Sequence, residues 1–508
     1  MTTPHPRIVA FETPMGELSD IAHAAAVAFD HWSVMAPRTR ARALLAAADA
    51  LSAAAEELVV IAMRETGLAE ARLRAELKRT AVQLRMFADV VVDGDYLDVR
   101  IDHVDADFAL GPRPDLRRTL VPLGPVLNFS GSNFPFAFSV AGGDTASALA
   151  AGCSVIVKAH SGHPELSRRT GEIVAAALEG AGAPRDTLQL VFGQEQGVAL
   201  LCDARLRAGS FTGSIHAGRL LADLAAARPS PIPFYGELGS VNPQFVTRAK
   251  LDADAIALSE GFVASVSASA GQFCTKPGFL FVSDVDAIAE PVRVAAAKVA
   301  EHRMLNPRIA SGYVQRRDAV LTSPGIEVIA EGVVRVDDEQ QGWVTPTIVA
   351  ISVADLEDGG PGLLDESFGP LSVVVGYERE ADLADLARRL FPGNLTGGVH
   401  ALANEHSPEL VSLIDQLHRS SGRVLFNGWP TGVAVTPAMQ HGGPWPATTN
   451  DHGTSVGTAA IGRFLRGVAY QNVPSHLLPA ALRDDNPWNV PQRVARAGES
   501  TSWGERSR

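Results

Sequence analysis

Cysteine is scarce in this chain, since only Cys153, Cys202 and Cys274 occur among its 508 residues. Three dispersed thiols exclude a disulfide framework and the closely spaced cysteine pairs of a zinc site, so we expect no metal centre. Such scarcity is typical of proteins in a reducing compartment.

Long apolar runs are also missing, although 46% of the residues are hydrophobic. No window holds the roughly 18 consecutive apolar residues of a membrane span, and the first residues lack the regions of a secretion signal. Because 44 basic residues face 57 acidic ones, for a net charge of −13, nucleic acid and anionic membranes are disfavoured as main partners. We expect a cytoplasmic protein that acts on a small molecule.

The length of the chain predicts two or three domains. Residues 16–91 are rich in alanine and leucine at helical spacing, which predicts a helical entry segment. Alternating β-branched runs and helical patterns then predict a parallel sheet. The predicted strands cover 121–129, 154–158, 187–192 and 208–212, and the predicted helices cover 134–151, 164–180, 195–202 and 214–227.

A second α/β block begins near residue 241, with predicted strands at 279–282 and 371–375 and a helix at 285–301. Glycine, proline, threonine and asparagine dominate residues 427–457, a stretch too long for a passive connection. We therefore expect it to be a functional loop or an intersubunit segment.

Cys274 lies in a turn of small residues at 269–278, between a helical pattern and a strand. A thiol with an ordinary pKa of about 8.5 is mostly protonated at neutral pH, so a nucleophilic role requires local activation. Burial as a small apolar residue is the alternative, and it is also our interpretation of Cys153 and Cys202. The nucleophile becomes credible only with a base and an oxyanion donor.

Three polar residues are candidates for such partners. Asn133 follows a predicted strand and opens a predicted helix, where its amide either donates to an oxyanion or caps the helix. Glu237 has apolar and glycine neighbours, and partial burial would raise its pKa toward neutrality, as suits a general base. Glu366 lies beside a tight turn, where capping is the alternative role.

The usual Gly-x-Gly-x-x-Gly fingerprint of a dinucleotide site is missing. Phe-Thr-Gly-Ser at 211–214 lies where a strand feeds a helix, so its N–H groups and hydroxyl face the positive helix end, where a pyrophosphate binds. A plain serine cap is the alternative.

Taken in this order, these segments resemble the aldehyde dehydrogenase superfamily over nearly the whole chain. The matching motifs are Asn133-Phe134-Pro135, Lys158 after a strand, Phe211 to Ser214, Glu237-Leu238-Gly239, Gly271-Gln272-x-Cys274 and Glu366-x-Phe368-Gly369-Pro370. The resemblance implies an α/β fold with a Rossmann-like cofactor domain (1–240), an α/β catalytic domain (241–430) and an irregular active-site loop with a bridging tail (431–508). Residues 103–121 and the tail, including Leu465 and Tyr470, would form a small oligomerisation element of a homodimer or homotetramer.

The resemblance also implies a catalytic set. Cys274 would attack the aldehyde, and its backbone N–H with the Asn133 amide would hold the oxyanion. Hydride transfer to nicotinamide would leave a thioester, which water activated by Glu237 would hydrolyse. Acylating relatives, which use coenzyme A instead, can lack this glutamate, and non-catalytic relatives usually lose a catalytic residue.

The cofactor residues implied by the resemblance are Lys158 at the adenosine ribose, Gly213 and Ser214 at the pyrophosphate, and Glu366 beside Phe368 at the nicotinamide ribose. Many NAD-preferring relatives carry a glutamate three positions after the lysine, where this chain has Ser161. A neutral residue leaves room for a 2′-phosphate, and Lys158 and His160 would help to hold it. NADP is therefore the expected cofactor, with NAD as the alternative.

Residues 130–138, Lys-Ala-His-Ser at 158–161 and His-Gly-Gly-Pro at 441–444 resemble the 2,5-dioxovalerate (α-ketoglutaric semialdehyde) branch. NADP-dependent fatty aldehyde dehydrogenases are similar, so longer aldehydes are the alternative substrates. Arg117 and Arg118 are candidates to bind a substrate carboxylate. The aromatic residues expected to line an apolar tunnel are Phe134, Phe138, Phe273 and Trp429.

His441 lies within the irregular stretch. The resemblance to the fatty aldehyde enzyme implies that its imidazole approaches the cysteine, where it would tune the thiolate or relay a proton. Bracing of the loop by hydrogen bonds is the alternative role.

Overall fold

The computed structural model describes residues 11–505. The helices of these residues are α1 (Leu18–Trp32), α2 (Pro37–Ala53), α3 (Ala55–Thr66), α4 (Glu70–Asp93), α5 (Gly143–Ala151), α6 (Pro164–Gly180), α7 (Gln194–Leu201), α8 (Ile215–Ala227), α9 (Arg248–Ser267), α10 (Asp286–Ala297), α11 (Pro307–Leu321), α12 (Val353–Asp358), α13 (Leu383–Leu390) and α14 (Pro408–Ser420). The entry segment predicted at 16–91 is therefore helical. No helix of the described residues is long and apolar enough to cross a membrane.

The strands of the same residues are β1 (Val99–Asp102), β2 (Leu116–Pro122), β3 (Val126–Phe129), β4 (Val155–Lys158), β5 (Leu188–Val191), β6 (Ala208–Thr212), β7 (Phe234–Glu237), β8 (Gln244–Val246), β9 (Phe279–Val282), β10 (His302–Arg303), β11 (Glu327–Ala330), β12 (Val334–Val336), β13 (Gly342–Val344), β14 (Thr347–Ser352), β15 (Leu371–Gly376), β16 (Asn394–His400), β17 (Ser421–Phe426), β18 (Leu465–Gln471) and β19 (Gln492–Ala495).

The first α/β block is a five-stranded parallel sheet in the order β5-β4-β3-β6-β7. This is the strand order of a doubly wound dinucleotide-binding fold, in which ligands bind at the carboxyl ends of the strands where the order reverses. The reversal lies between β3 and β6. It brings together the loop after β3, which holds Asn133, and the loop after β6, which holds Ser214.

Two predicted elements differ from the structure. Residues 121–129 are not one strand, because β2 ends at Pro122, β3 begins at Val126, and the two strands join different sheets. Of the helix predicted at 134–151, only the second half is helical, as α5 (Gly143–Ala151). Before α5, the buried Glu76 of α4 accepts hydrogen bonds from the N–H groups of Phe136 and Ala137 at 2.8 and 3.0 Å. This contact from a distant helix fixes a turn that the local pattern does not encode.

The second block is a seven-stranded sheet in the order β11-β14-β15-β9-β8-β16-β17, parallel except for β11. The antiparallel pair of β2 with β18 belongs to a smaller sheet, β18-β2-β1-β19, which joins the segment near 103–121 to the tail. Assembly through this sheet stays a prediction.

Residues 427–457 contain neither a helix nor a strand. They cross the end of β7, where Glu237 and Thr448 form an isolated bridge and Leu238 donates to the carbonyl of Ala447 at 2.8 Å. The irregular segment is thereby held against the end of β7.

Candidate active site

Cys274 lies in the loop that leads from α9 to β9. Ser269, Ala270 and Gly271 precede it with φ angles of 51°, 55° and 64°, in the left-handed region that costs a non-glycine residue free energy. A Cβ at Gly271 would lie 2.4 Å from the carbonyl oxygen of Gly369, so glycine is needed where these two motifs meet. The strained turn thus joins the cysteine loop to the segment that carries Glu366.

A buried histidine and a buried glutamate lie beside the thiol. His441 Nε2 is 2.9 Å from Glu237 Oε1 and 3.6 Å from Cys274 Sγ. Ser455 Oγ donates to the other carboxylate oxygen, Glu237 Oε2, at 2.5 Å. The structure therefore brings together four residues, two of them from the irregular segment and far along the chain from Glu237 and Cys274.

The pKa of Glu237 is shifted in the direction opposite to the predicted one. Burial raises it, but the charge interaction with His441, the hydrogen bonds from His441 and Ser455, and the nearby Cys274 thiol together lower it by more. The prediction of a raised pKa is wrong because it considered burial without these partners. Glu237 is accordingly a charged carboxylate at neutral pH.

The pKa of the Cys274 thiol is shifted in the opposite direction, upward. Burial raises its pKa well above the usual value, and the nearby charges of Glu237 and Glu366 raise it further. The resting group is therefore a neutral thiol. A proton acceptor lies close by, since the Glu237 carboxylate, the His441 ring and Cys274 Sγ lie within 4.8 Å of one another.

The amide of Asn133 points at the cysteine loop, where Nδ2 donates to the carbonyl of Gln272 at 3.0 Å. The predicted position at a helix N-terminus is wrong, because α5 begins only at Gly143. A tertiary contact, rather than a helix end, aims this side chain at the loop that carries Cys274.

The residues expected to hold the adenosine end of a cofactor follow β4. Lys158 ends this strand, and Ser161 is exposed in the turn after it. The ring of His160 stacks on His163 with centroids 5.5 Å apart, and its Nδ1 accepts from the Gly162 N–H at 2.9 Å, which leaves the proton on Nε2. Burial lowers the pKa of His160 well below the usual value, so it offers a neutral donor rather than a positive charge.

The turn after β6 has the predicted position at a helix N-terminus. Ser214 is the N-cap of α8, and its Oγ accepts from the Ala217 N–H at 3.3 Å. Gly213 and Ser214 are exposed, so the backbone there is open to a ligand. The serine cap is therefore present, and it does not exclude an anion at the exposed backbone beside it.

Glu366 is half-buried and faces Lys276. Burial raises the pKa of Glu366 to about 7, partly offset by that lysine and by the Ser240 N–H. A Cβ at Gly239 would lie 2.2 Å from Glu366 Oε2, so this carboxylate rests against bare backbone of the Glu237 motif. The side chain of Phe368 is half-buried against the core of the first block.

A cavity of about 240 Å³ opens at Cys274. Three of the four aromatic residues predicted for a tunnel line it, namely Phe134, Phe138 and Phe273. Trp429 lies elsewhere, packed against Phe262 and His400, so its assignment to the tunnel is wrong.

The two arginines predicted to bind a carboxylate do not reach this cavity. Arg117 on β2 pairs with Asp115 and Asp484, and Arg118 pairs with Asp98, because both belong to the smaller sheet. The cavity is lined instead by Arg72 and Arg79 of α4, which sequence reasoning missed. The sequence indicates only that Arg72 and Arg79 share one face of a helix, and charged helix faces are usually exposed to solvent.

Comparison with known proteins shows the family of the chain. The model of the aldehyde dehydrogenase family matches residues 9–453. The chain belongs to the aldehyde dehydrogenase family. It is an oxidoreductase that acts on aldehydes with a nicotinamide cofactor, and the predicted aldehyde dehydrogenase-like α/β fold is confirmed.

Similar curated relatives include two bacterial enzymes. The chain is 40% identical to the alpha-ketoglutaric semialdehyde dehydrogenase of Acinetobacter baylyi, over 95% of this chain and 91% of the relative. It is 42% identical to alpha-ketoglutaric semialdehyde dehydrogenase 2 of Azospirillum brasilense, over 92% and 88%. Among solved structures, an NAD-dependent aldehyde dehydrogenase from Sinorhizobium meliloti has a TM-score of 0.73 at 24% identity, over 91% of this chain and 88% of that one.

Proposed function

We propose that this aldehyde dehydrogenase oxidises 2,5-dioxovalerate to 2-oxoglutarate with NADP, in the degradation of pentoses or sugar acids. The observation that carries the reaction is the cluster of Cys274, His441 and Glu237. Their sulfur, a ring nitrogen and a carboxylate oxygen lie within 4.8 Å of one another. The substrate rests on the two relatives named for alpha-ketoglutaric semialdehyde.

In the proposed reaction, the thiol of Cys274 gives its proton to Glu237, and its sulfur forms a bond to the aldehyde carbon. The oxygen of that carbon becomes negative and accepts hydrogen bonds from the Asn133 amide and from the Cys274 N–H. His441 holds Glu237 by the 2.9 Å contact and lies close enough to the sulfur to move protons between them.

Hydrolysis then completes the reaction. NADP, when bound, supplies the acceptor for the substrate hydride. Glu237 first releases to solvent the proton that it took from the thiol. It then removes a proton from water, whose oxygen attacks the thioester carbon; the C–S bond breaks, the acid leaves and the sulfur regains that proton from Glu237. Glu237 is suited to this step because its lowered pKa keeps it charged at neutral pH.

The residues after β4 and β6 fit a phosphorylated dinucleotide. Ser161 is exposed and uncharged, and Lys158 has no acidic partner among residues 11–505. A Cβ at Gly197 would lie 2.9 Å from Lys158 Cγ, so bare backbone flanks the lysine stem. Lys158 and the neutral donor of His160 would hold the 2′-phosphate, Ser214 the pyrophosphate, and Glu366 the nicotinamide ribose.

Fatty aldehydes are a second candidate class of substrate, favoured by the three phenylalanines of the cavity. Steady-state assays of 2,5-dioxovalerate, succinic semialdehyde, glycolaldehyde and medium-chain aldehydes, each with NADP and with NAD, separate the two classes. We expect the highest kcat/KM for 2,5-dioxovalerate with NADP, and a free acid as the product with or without coenzyme A. A higher kcat/KM for the uncharged medium-chain aldehydes would contradict the proposal.

A further inference from the structure

One wall of the Cys274 cavity is formed by three charged residues of α4. Arg72, Glu76 and Arg79 are spaced by four and three positions, which places them on one face of the helix, and all three line the cavity. The nucleophile and a pair of guanidinium groups therefore share one enclosed space.

The only carboxylate of that helix face is already engaged. Glu76 Oε1 accepts from two backbone N–H groups, at 2.8 and 3.0 Å, and Glu76 Oε2 lies 3.8 Å from Arg72 Nη2. Arg79 is near enough to Glu76, Glu237 and Cys274 to be affected by their charges, but it forms no ion pair within 4 Å among the described residues. On this wall a single carboxylate, that of Glu76, thus lies near two guanidinium groups.

Both arginines hold a donor that lacks a partner. Arg72 Nη1 and Arg79 Nη1 are buried and form no hydrogen bond within the described chain. A buried cationic donor left unpaired is costly, and a guanidinium normally presents its donors to a planar anion in a fork. Burial also lowers the pKa of both groups. Such donors are typical of a site completed by an anionic ligand.

Aromatic rings hold the two guanidinium groups in place. The Arg72 guanidinium lies 5.1 Å from the Phe134 ring centroid and 4.8 Å from that of Phe273, and Arg79 lies 5.4 Å from that of Phe138. Cation–π contacts of this kind fix orientation without using the N–H donors. The phenylalanines of the cavity therefore also position its positive charges.

We propose that Arg72 and Arg79 bind the carboxylate of an oxo-acid substrate whose aldehyde group lies at Cys274. This inference rests on the proposed function and gives it a residue-level basis for substrate choice. Arg72 also donates to the carbonyl of Asn133, so its loss would disturb the oxyanion donor. Arg79 makes no such contact and is the better residue to test.

The test compares 2,5-dioxovalerate with pentanal, an uncharged aldehyde of the same chain length, in the full-length enzyme. In Arg79→Gln, the ratio of kcat/KM for the oxo acid to kcat/KM for pentanal should fall by about tenfold or more, mostly through KM. Arg79→Lys should restore part of the ratio because it keeps the charge but not the fork. Arg85→Gln, on the same helix but paired with Asp49 at the surface, is the matched control and should keep the ratio.

If Arg79 served only to stabilise the thiolate, Arg79→Gln would slow both aldehydes equally, and the unchanged ratio would overturn the inference. A second measurement does not depend on the identity of the substrate. Glutarate, a dicarboxylate without an aldehyde, should inhibit pentanal oxidation competitively, and its inhibition constant should rise by about tenfold in Arg79→Gln.

The two measurements separate the proposals. Glutarate inhibition that depends on Arg79, together with poor oxidation of 2,5-dioxovalerate by the unsubstituted enzyme, would refute the proposed substrate and leave the carboxylate site standing. Absence of competitive inhibition by glutarate would refute the carboxylate site, whatever the substrate.

Discussion

The carboxylate of Glu237 lies beside the thiol of Cys274, and its charge helps to raise the pKa of that thiol. The same carboxylate is stabilised in its charged form by His441 and Ser455. At neutral pH the proton therefore lies on the sulfur of Cys274, and the charged carboxylate of Glu237 lies beside it as a base. This arrangement keeps the half-buried thiol protonated at neutral pH and therefore weakly nucleophilic.

The first prediction concerns Glu237→Gln, which should have opposite effects on thiol reactivity and on turnover. Loss of the negative charge should lower the pKa of Cys274, so that inactivation by iodoacetamide becomes faster at neutral pH and its pH profile moves to lower pH. Turnover should fall by about 10²- to 10⁴-fold because the general base is gone. Cys153 is buried as expected, but the expectation that Cys202 is buried is wrong, because it is exposed at the end of α7. Inactivation rates are therefore best measured with Cys202→Ser in the background. An unchanged pH profile would show that the two groups are not coupled.

A second prediction concerns His441→Asn. His441 lowers the pKa of Glu237 by its charge interaction and by its hydrogen bond, so its removal should raise that pKa. A carboxylate with a higher pKa becomes protonated sooner as the pH falls, so the acid limb of kcat/KM should move to higher pH. Ser455→Ala should move it the same way by a smaller amount. Unaltered pH dependence and thiol reactivity in His441→Asn would leave the residue as a brace of its loop.

Asn133→Ala should slow chemistry without weakening the cofactor complex. Loss of one oxyanion donor typically costs about 10²- to 10³-fold in kcat. The dissociation constant of NADP, measured by fluorescence titration, should stay within about twofold, because Asn133 contacts the cysteine loop at Gln272 rather than the turns after β4 and β6. A fall in kcat below tenfold would argue against the oxyanion role.

Elements of the five-stranded sheet near the expected cofactor site were predictable from local patterns. The helix α6 and the strand β6 have the predicted bounds. Proline is favoured in the first turn of a helix, so Pro164 marks the start of α6, and β-branched and apolar residues favour the strand. The position of Ser214 at a helix N-terminus was likewise predictable, because a strand that ends in Thr-Gly-Ser before a helix is a local signal. Here the pattern and the tertiary structure agree.

The substrate end of the site was not predictable in the same way. Arg72 and Arg79 become cavity residues only because α4 packs over the turn at 134–142, which Glu76 fixes by hydrogen bonds across the chain. The pKa of Glu237 also depends on His441 and Ser455, which no local pattern places beside it. These two differences from the sequence-based expectations therefore have one cause, a long-range contact that opposes the local trend.

The last prediction concerns cofactor choice and Ser161. The unsubstituted enzyme should prefer NADP in kcat/KM, because an uncharged, exposed residue at this turn leaves Lys158 free for a 2′-phosphate. Ser161→Glu should reverse the preference, since a carboxylate there would repel the phosphate and accept from the 2′-hydroxyl of NAD. Ser161→Gln has the same length without the charge, so it separates repulsion from steric exclusion and should retain most of the preference. A preference of the unsubstituted enzyme for NAD of about tenfold or more, equal to roughly 1.4 kcal/mol, would mean that Lys158 and His160 do not provide a phosphate site.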